Sequence, residues 1–563
     1  MLGDDNPEIA RPNCAQCGAS FAIFQSEQPT YDAFDIPQPE LCFDCRFQHR
    51  LAFYNRRSLY RRTCDFTGKP IVSIFSPDKP FKVYEKDVWQ SDQWNALEYG
   101  RDFDFKRPFF EQFRELIEDV PAQALTILGK NENSEFTNDN LRMKDCYLVF
   151  DADNAQGVMY AETLVGVRDS LDLLACTNLE LSYECVGCED SYGLKYSRYC
   201  KNCSDAWFLS DCIGCRNCFG CVNLHQKEHH IYNEAYSRKD YENFMQSFQS
   251  SSYQEIQNYT KAFDKFYLTQ PLRSQRGTQN QNVSGAYLSN CKNAHYCFNG
   301  RNIEDCHYCT DILLPAHNCM DVHIWGDGIQ LVYNSAVIGD KCFNILCSYY
   351  VASGCSDVAY SFYCIRGCSD LFGCAALQRA KYCILNKEYS KEDYEELRTR
   401  IVAHMRETGE WGKFFPPTIS PFGYNETLAP LYFPLEQDEV LQRGWKWSDY
   451  DAPVAAKKTI PSSELPDDAR DVDDSILEHA ILCEVSGRPF KLVTHELNFY
   501  KTHKLPLPRR HPDQRHLDRF QLKFPYRLWE RECQQCQAPL LCNYAPDRPE
   551  ILYCTECYQK HVF

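Results

Sequence analysis

The chain has 563 residues, 44% hydrophobic and 14% aromatic, which allows three or four domains with real cores and excludes a disordered chain. Its 60 basic residues against 78 acidic ones give a formal charge of −18, a field that repels nucleic acid wherever positive charge is not concentrated locally. No apolar run approaches the roughly 18–20 residues of a membrane helix, so no membrane association is expected.

The start, Met1-Leu2-Gly3-Asp4-Asp5, has neither a basic region nor an apolar core of the kind that opens a secretory signal. The 33 cysteines are an odd number and cannot all pair. Together these predict a reducing, cytoplasmic setting, with cysteines serving as metal ligands or buried thiols.

In chain order, residues 1–100 read as a tandem of two zinc-ribbon modules. In the first, Cys14, Cys17, Cys42 and Cys45 form two Cys-x-x-Cys knuckles. Thiolates in a tetrahedron suit zinc, and each tight knuckle brings two sulfurs to one ion. A redox pair or buried thiols would be the alternative. Residues 101–135 form a helical connector. Pro108 suits a first helical turn, and Phe109, Phe110, Phe113, Leu116 and Ile117 supply one apolar face.

Residues 136–235 and 281–388 read as two halves of a β-solenoid, with a helical insertion at 236–280 between them. Cys218-Phe219-Gly220-Cys221 recurs as Leu371-Phe372-Gly373-Cys374, and Ile231, Asn233, Tyr236 and Tyr241 recur as Ile384, Asn386, Tyr389 and Tyr394. A looser unit runs through both halves: an acidic or amide residue, a small residue or cysteine, then an aromatic or aliphatic one. It starts at Asp145, Asp169, Asp190, Asp205 and Asn217, and again at Asp305, Asp321, Asp357 and Asp370. Short units of this composition suit stacked rungs that cannot bury their inner faces alone.

Ser237-Arg238-Lys239-Asp240 and Ser390-Lys391-Glu392-Asp393 read as boxes opening helices, the first running to about Tyr267 and the second inside a helix and extended segment over 389–450. Residues 451–475, rich in Ala, Pro, Asp and Lys without periodicity, read as a linker. Residues 476–563 are a second tandem, with the knuckles Cys533, Cys536, Cys554 and Cys557 in its second module.

The two ends match in one register. A shift of 469 carries Cys14 onto Cys483, Gly18 onto Gly487, Arg46 and Arg50 onto Arg515 and Arg519, and Cys64 onto Cys533. The second N-terminal module keeps Cys64 but has Thr67, Glu85 and Val88 where the other end has Cys536, Cys554 and Cys557. The first C-terminal module keeps Cys483 but has Ser486, His511 and Gln514. Each tandem thus holds one metal-competent and one degenerate module, and two zinc ions are expected per chain. Each ion contributes on the order of 10–16 kcal/mol of apparent binding free energy to its small module. In the degenerate N-terminal module, Phe75, Phe81, Tyr84, Val88 and Trp89 are candidates to fill the space of the metal.

Between the modules run basic connectors. Arg46, Arg50, Arg56, Arg57, Arg61 and Arg62 lie in a stretch with no acid, and Arg515, Arg519, Arg527 and Arg531 lie in its counterpart. With Tyr54, Tyr60, Tyr526 and Trp529 interleaved, they could grip phosphate and stack on bases. The competing reading is a solvated face, or arginines paired with the acidic middle of the chain. For Cys212, Cys215, Cys218 and Cys221, three-residue spacing fits buried thiols at tight corners, with further zinc or a redox cluster as alternatives. No phosphate-binding loop, nucleophile elbow or dinucleotide fingerprint occurs, and His495-Glu496 lacks the second histidine of a metalloprotease.

The motifs Cys64-Asp65-Phe66-Thr67-Gly68-Lys69, Ser76-Pro77-Asp78-Lys79-Pro80, Tyr99-Gly100-Arg101-Asp102-Phe103-Asp104-Phe105, Cys218-Phe219-Gly220-Cys221, Gly409-Glu410-Trp411-Gly412-Lys413-Phe414-Phe415-Pro416 and Ser420-Pro421-Phe422-Gly423-Tyr424-Asn425-Glu426 span nearly the whole chain. In them the chain resembles a family of uncharacterised cysteine-rich proteins with zinc ribbons at both ends, associated with candidate-phylum bacteria. The resemblance implies zinc at the ends and no particular activity. In that family the second N-terminal module often keeps its later cysteines, where this chain has Glu85 and Val88.

The expected fold is mainly β with helical insertions, a central duplicated solenoid flanked by ribbon tandems. The expected role is a scaffold or adaptor presenting basic ribbon ends to a macromolecular partner, RNA or a ribonucleoprotein first. A protein-only, self-assembling scaffold and an enzyme with a site in the solenoid are the other readings, an enzyme being the less expected.

Overall fold

A computed structural model describes residues 6–177, 186–451 and 453–562. The protein is mainly β, and its centre is built from parallel strands wound in two coils. In the first, Asn140 faces Ala152 and Ala152 faces Leu164, a step of twelve residues. The same step carries Tyr192 to Ser204, Ser204 to Arg216 and Arg216 to Glu228. In the second coil, Lys292 faces Glu304, after which the step lengthens to thirteen: Ile303 to Ala316, Ala316 to Ile329, Gln330 to Phe343 and Phe343 to Ser356.

The local cause is a left-handed residue at every third position, as at Asp145, Leu148, Asp151 and Asn154. Positive φ is unfavourable for L-residues except where Asn, Asp or Gly supplies it, so each such residue marks a corner. All nine acidic or amide starts named above have φ between 43° and 58°. The next residue points into the coil. Cys146, Cys200, Cys203, Ala206, Cys212, Cys215, Cys218 and Cys221 are all buried there.

Corners this close leave a thin interior filled by cysteine and alanine together with aliphatic residues such as Leu194 and Leu209, and the thiols and hydroxyls among them serve the backbone. The Cys203 thiol reaches the carbonyls of Lys201 and Cys212, both at 3.4 Å, and the Cys212 thiol those of Ser210 and Cys221 at 3.4 and 3.5 Å. Ser197 does the same work, donating to the Lys195 carbonyl at 3.2 Å and accepting from the Leu209 N–H at 3.2 Å. Cys306 and Cys309 follow this pattern; Cys185, expected to join it, lies outside the described residues.

Each coil ends in an antiparallel turn-back, Glu228–Ile231 with Glu234–Ala235 and Lys381–Ile384 with Lys387–Glu388. Helices then cover the open end. Ser237 accepts from the Asp240 N–H to start Arg238–Ser247, and Ser390 accepts from the Asp393 N–H to start Lys391–Glu407. The single helix expected to reach Tyr267 is two: it stops after Ser247 and restarts as Tyr253–Tyr267, because Ser251 and Ser252 donate to Asp468 and Asp467 across the break. Pro108 precedes its helix, Phe109–Asp119, in an extended conformation, and Phe109, Phe113, Leu116 and Ile117 are buried beneath it.

The segment expected as a linker over 451–475 is packed from Lys458 onward. Lys458–Pro461 pairs in parallel with His479–Leu482, and Ile460, Leu465, Ala469 and Val472 are buried along a segment that forms only short single turns, Ser462–Glu464 and Ala469–Asp471. No helix among the described residues is long and apolar enough to cross a membrane.

The terminal tandems dock crosswise. The Phe43–Leu51 helix of the first N-terminal module packs on strands Ala316–His323 and Ile329–Ile338 of the second coil. Its C-terminal counterpart, Pro512–Leu522, packs on Leu174–Thr177 of the first coil. The second modules each extend the strand leading into a coil: Val83–Tyr84 pairs with Ala122–Gln123, and Ile551–Tyr553 with Pro271–Arg273. Two cores follow this division. One joins the N-terminal module to the second coil, and the other joins the first coil, the Tyr253–Tyr267 helix and the C-terminal segment.

Candidate functional site

The four sulfurs of Cys14, Cys17, Cys42 and Cys45 lie within 4.8 Å of one another, as do those of Cys533, Cys536, Cys554 and Cys557. Among the described residues these are the two groups that could hold a metal ion. The first knuckle of the N-terminal group is closed by Gly18 at φ 74°, whose N–H donates to the Cys14 carbonyl at 2.9 Å. A Cβ would be strained at that φ. The second knuckle opens the Phe43–Leu51 helix, with Cys42 just before it and Cys45 in its first turn. The Cys42 thiol is pulled down to about 5, chiefly by hydrogen bonding with Cys45. Burial pushes the Cys533 thiol up, but the backbone N–H groups of Cys554, Cys536 and Gln535 outweigh it and hold it at about 6. One thiol in each site is thus held toward thiolate, the form that binds metal, while a neighbour is pushed up: Cys45 by hydrogen bonding with Cys42 and by burial, and Cys557 by hydrogen bonding with Cys554 and by burial.

The degenerate modules keep the shape without the ligands. Cys64 Sγ accepts from the N–H groups of Thr67 and Glu85, at 3.5 and 3.3 Å, and Tyr84, Val88 and Trp89 are buried in the same cluster as Cys64, whereas Phe75 and Phe81 belong to a separate one with Val83 and Phe422. At the other end Cys483 Sγ accepts from the Ser486 N–H at 3.4 Å, while His511 caps the following helix by accepting from the Asp513 N–H at 3.1 Å. The run Cys212, Cys215, Cys218 and Cys221 spans successive corners and does not form a four-sulfur group.

The predicted arginines fall into two sets. Arg46 and Arg50 are buried and share Asp321, at 2.7 and 3.1 Å. Arg515 and Arg519, their counterparts, share Asp172 at 2.5 and 2.9 Å. Arg56 and Arg57 both reach Glu162, Arg57 at 3.2 Å. Burial pushes the Glu162 carboxyl up, and Arg56, His516 and Arg57 more than reverse it. These six are paired with the middle of the same chain. Arg61 lies over Phe136, Arg62 pairs with Asp65 at 3.0 Å, Arg527 lies 3.9 Å from Asp44, and Arg531 donates to the Ala545 carbonyl at 2.7 Å.

Each arginine pair belongs to a larger buried network that occurs twice. Glu27 accepts from the Tyr31 and Tyr308 hydroxyls at 2.6 and 2.9 Å. Glu496 accepts from the Tyr160 and Tyr500 hydroxyls at 2.6 and 3.5 Å. Arg46 lies over the Tyr308 ring and Arg515 over Tyr160. Asp172 and Asp321 are both coil corners at φ 58° and fully buried. Glu27 and Tyr31 map onto Glu496 and Tyr500 under the shift of 469, a signal already present in the sequence.

Both intact modules reach the second coil at Tyr296, where Phe43 meets the ring edge-on and the Leu528 N–H donates to the hydroxyl at 3.5 Å. The C-terminal one also reaches the first coil, where the Tyr558 hydroxyl donates to Asn223 at 2.9 Å. Of the degenerate modules, the C-terminal one sits on the first coil, while the N-terminal one bridges the strand leading into the first coil and the end of the second, where Gln378 donates to the Trp89 carbonyl at 3.2 Å and Arg366 to the Gln90 side chain at 2.9 Å. Between the intact modules is a cleft of about 1110 Å³, with Phe21, Phe43, Tyr296, Tyr308, Leu528 and Leu541 among its walls and Glu27 and Arg46 in its lining. Burial pushes the carboxyls of both Glu27 and Asp44 up.

No family model matches the chain. No curated protein matches it. Among solved structures it is similar to a protein assigned as an acetyltransferase from Desulfovibrio desulfuricans G20, at 10% identity and a TM-score of 0.11, over 42% of this chain and 63% of that one. It is also similar to a UDP-N-acetylglucosamine acyltransferase from Campylobacter jejuni, at 9% identity and a TM-score of 0.08, over 50% of this chain and 90% of that one. The chain spans less than two thirds of the first of these, and at such TM-scores neither likeness carries an argument about fold or activity.

Proposed function

We propose that the protein is a zinc-stabilised scaffold, a β-solenoid that clamps two zinc ribbons side by side so that the cleft between them receives a segment of a partner protein. The two metal-competent modules facing each other across one cleft of about 1110 Å³, with Tyr296 and Tyr308 of the second coil between them, carry this reading. Zinc is the metal best suited to four thiolates in a closed tetrahedron, and such a site leaves no position open for substrate. The role of the metal is then to hold cleft walls. A reducing, cytoplasmic setting suits a chain whose inner thiols donate to backbone carbonyls instead of pairing.

A protein segment fits the cleft better than RNA. Six of the ten candidate arginines are committed to carboxylates inside the molecule. The two that line the cleft mouth, Arg527 and Arg531, alternate with Glu530 and Glu532, so no unopposed basic track exists for a phosphate backbone. The aromatic and aliphatic walls suit side-chain anchors of a peptide.

A photo-crosslinking residue at Leu541, with a control at the exposed Val165 on the first coil, tests the reading in cells. A discrete protein adduct from position 541 alone, lost when zinc is chelated, supports it. A nuclease-sensitive adduct would replace the protein partner with RNA. Equal labelling from both positions, or none, removes the cleft as a docking site.

A further inference from the structure

A second cavity, of about 250 Å³, lies on the first coil, where the Tyr253–Tyr267 helix meets the Pro506–Arg510 segment and the Pro512–Leu522 helix. Arg198, Arg509, Arg510, Arg515 and Arg519 line it, against two carboxylates, Asp264 and Asp518. Most of the charge is accounted for. Arg198 pairs with Asp264 at 2.7 Å, and Arg510 with Asp518 at 2.7 Å and Glu484 at 2.8 Å. Arg515 and Arg519 share Asp172, and Arg515 also reaches Glu496 at 3.2 Å.

Donors on three arginines are left over. Arg509 pairs with no carboxylate among the described residues; it lies 4.1 Å over the Tyr253 ring and donates to the Leu465 carbonyl at 3.3 Å. Arg515 and Arg519 each have a side chain only 4% exposed, and the Nε of each has no hydrogen-bond partner. An unmade hydrogen bond on a buried guanidinium is costly, and such groups are normally satisfied by protein, water or ligand. The remaining wall is aromatic: Tyr196, Phe208 and Phe263.

We propose that this cavity is a binding site for a compact organic oxyanion, whose phosphate or carboxylate group is taken by Arg509 and Arg519 while its apolar or aromatic body lies against Tyr196, Phe208 and Phe263. Arginine forks match the planar oxygens of such groups, and the cavity falls below the roughly 300–1,000 Å³ of sites for drug-sized ligands. The site lies beside the degenerate C-terminal module and shares no lining residue with the wide cleft between the two four-cysteine modules.

Titration calorimetry on the full, zinc-loaded chain in low-chloride buffer tests this with three probes: phenyl phosphate, benzoate and inorganic phosphate. Saturable binding of phenyl phosphate or benzoate, tighter than inorganic phosphate, is expected, and the stronger of the two identifies the head group. Arg509→Gln weakens it about tenfold or more, the loss of one charge-assisted hydrogen bond. Gln257→Trp, at the cavity wall, blocks binding while leaving the melting temperature unchanged, which keeps the test open if the arginine variant folds poorly. No saturable heat up to 10 mM of any probe, or unchanged affinity in both variants, overturns the proposal.

Discussion

Replacing Asp321 with asparagine perturbs the clamp that holds the N-terminal module on the second coil. The aspartate is fully buried and takes two arginines, Arg46 at 2.7 Å and Arg50 at 3.1 Å. Burial works against the charge of both. Asp321 and nearby tyrosines outweigh burial for Arg46 and raise it, whereas burial prevails for Arg50 and lowers it. The substitution leaves two buried guanidinium charges without their counter-ion. Breaking a buried pair by removing one partner costs about 3–5 kcal/mol, and two stranded cations place Asp321→Asn at the upper end. Hydrogen exchange measured by mass spectrometry on the Phe43–Leu51 helix should speed up by roughly three to four powers of ten, since about 1.4 kcal/mol is a factor of ten. The triple replacement Arg46→Met, Arg50→Met, Asp321→Leu removes all three charges and should restore protection. Exchange within threefold of the parent in Asp321→Asn, with no difference between single and triple variants, would refute the idea that this ion pair holds the module.

Asp172→Asn should do the same to the Pro512–Leu522 helix and leave Phe43–Leu51 unchanged, read in the same experiment. Metal analysis should give two zinc ions per chain, one in Cys17→Ser or Cys536→Ser, and still two in Cys64→Ser. Cys215→Ser should cost less than about 1 kcal/mol in a thermal melt, because serine makes the same backbone contacts, whereas Cys215→Leu overpacks the thin interior and costs about 1–3 kcal/mol. Burial lowers His307, His323 and His516 to about 3 and His49 to about 4, so the folded chain binds fewer protons than the unfolded one between about pH 6.5 and 4. That stability is fully present above pH 6.5 and is lost as the pH falls; His323→Gln should flatten the decline of melting temperature by about one proton's worth, a difference that zinc loss, common to both chains, does not produce.

Some of this architecture is written locally and some is not. The Cys-x-x-Cys knuckles are local chemistry, and their sulfurs do converge. The corner residues are local too: Asp or Asn before a small side chain marks a left-handed turn, and every such start proved to be one. A three-residue pattern, however, does not say how many corners close a turn, so the steps of twelve and thirteen were not legible. The arginines were visible as clusters, but whether they face solvent or an internal carboxylate is decided by partners more than 100 residues away, such as Asp321 for Arg46. The tightly packed strap after Lys458 was missed because Pro, Ser and Asp separate its few apolar residues, among them Ile460 and Leu465, and that composition reads as loop. The crosswise docking leaves no mark on either tandem's own sequence.

That docking also sets a timetable. The helix carrying Cys45 rests on strands Ala316–His323 and Ile329–Ile338, which leave the ribosome long after it does. At about 5–20 residues per second, the wait is roughly 15–60 s. During that interval the N-terminal module has no surface to fold against, and four thiolates around an ion are what can keep it in shape. The degenerate module at the other end emerges when the first coil is already complete and can fold directly onto it. A metal ion held by Cys14, Cys17, Cys42 and Cys45 would then serve the order of synthesis as much as final stability.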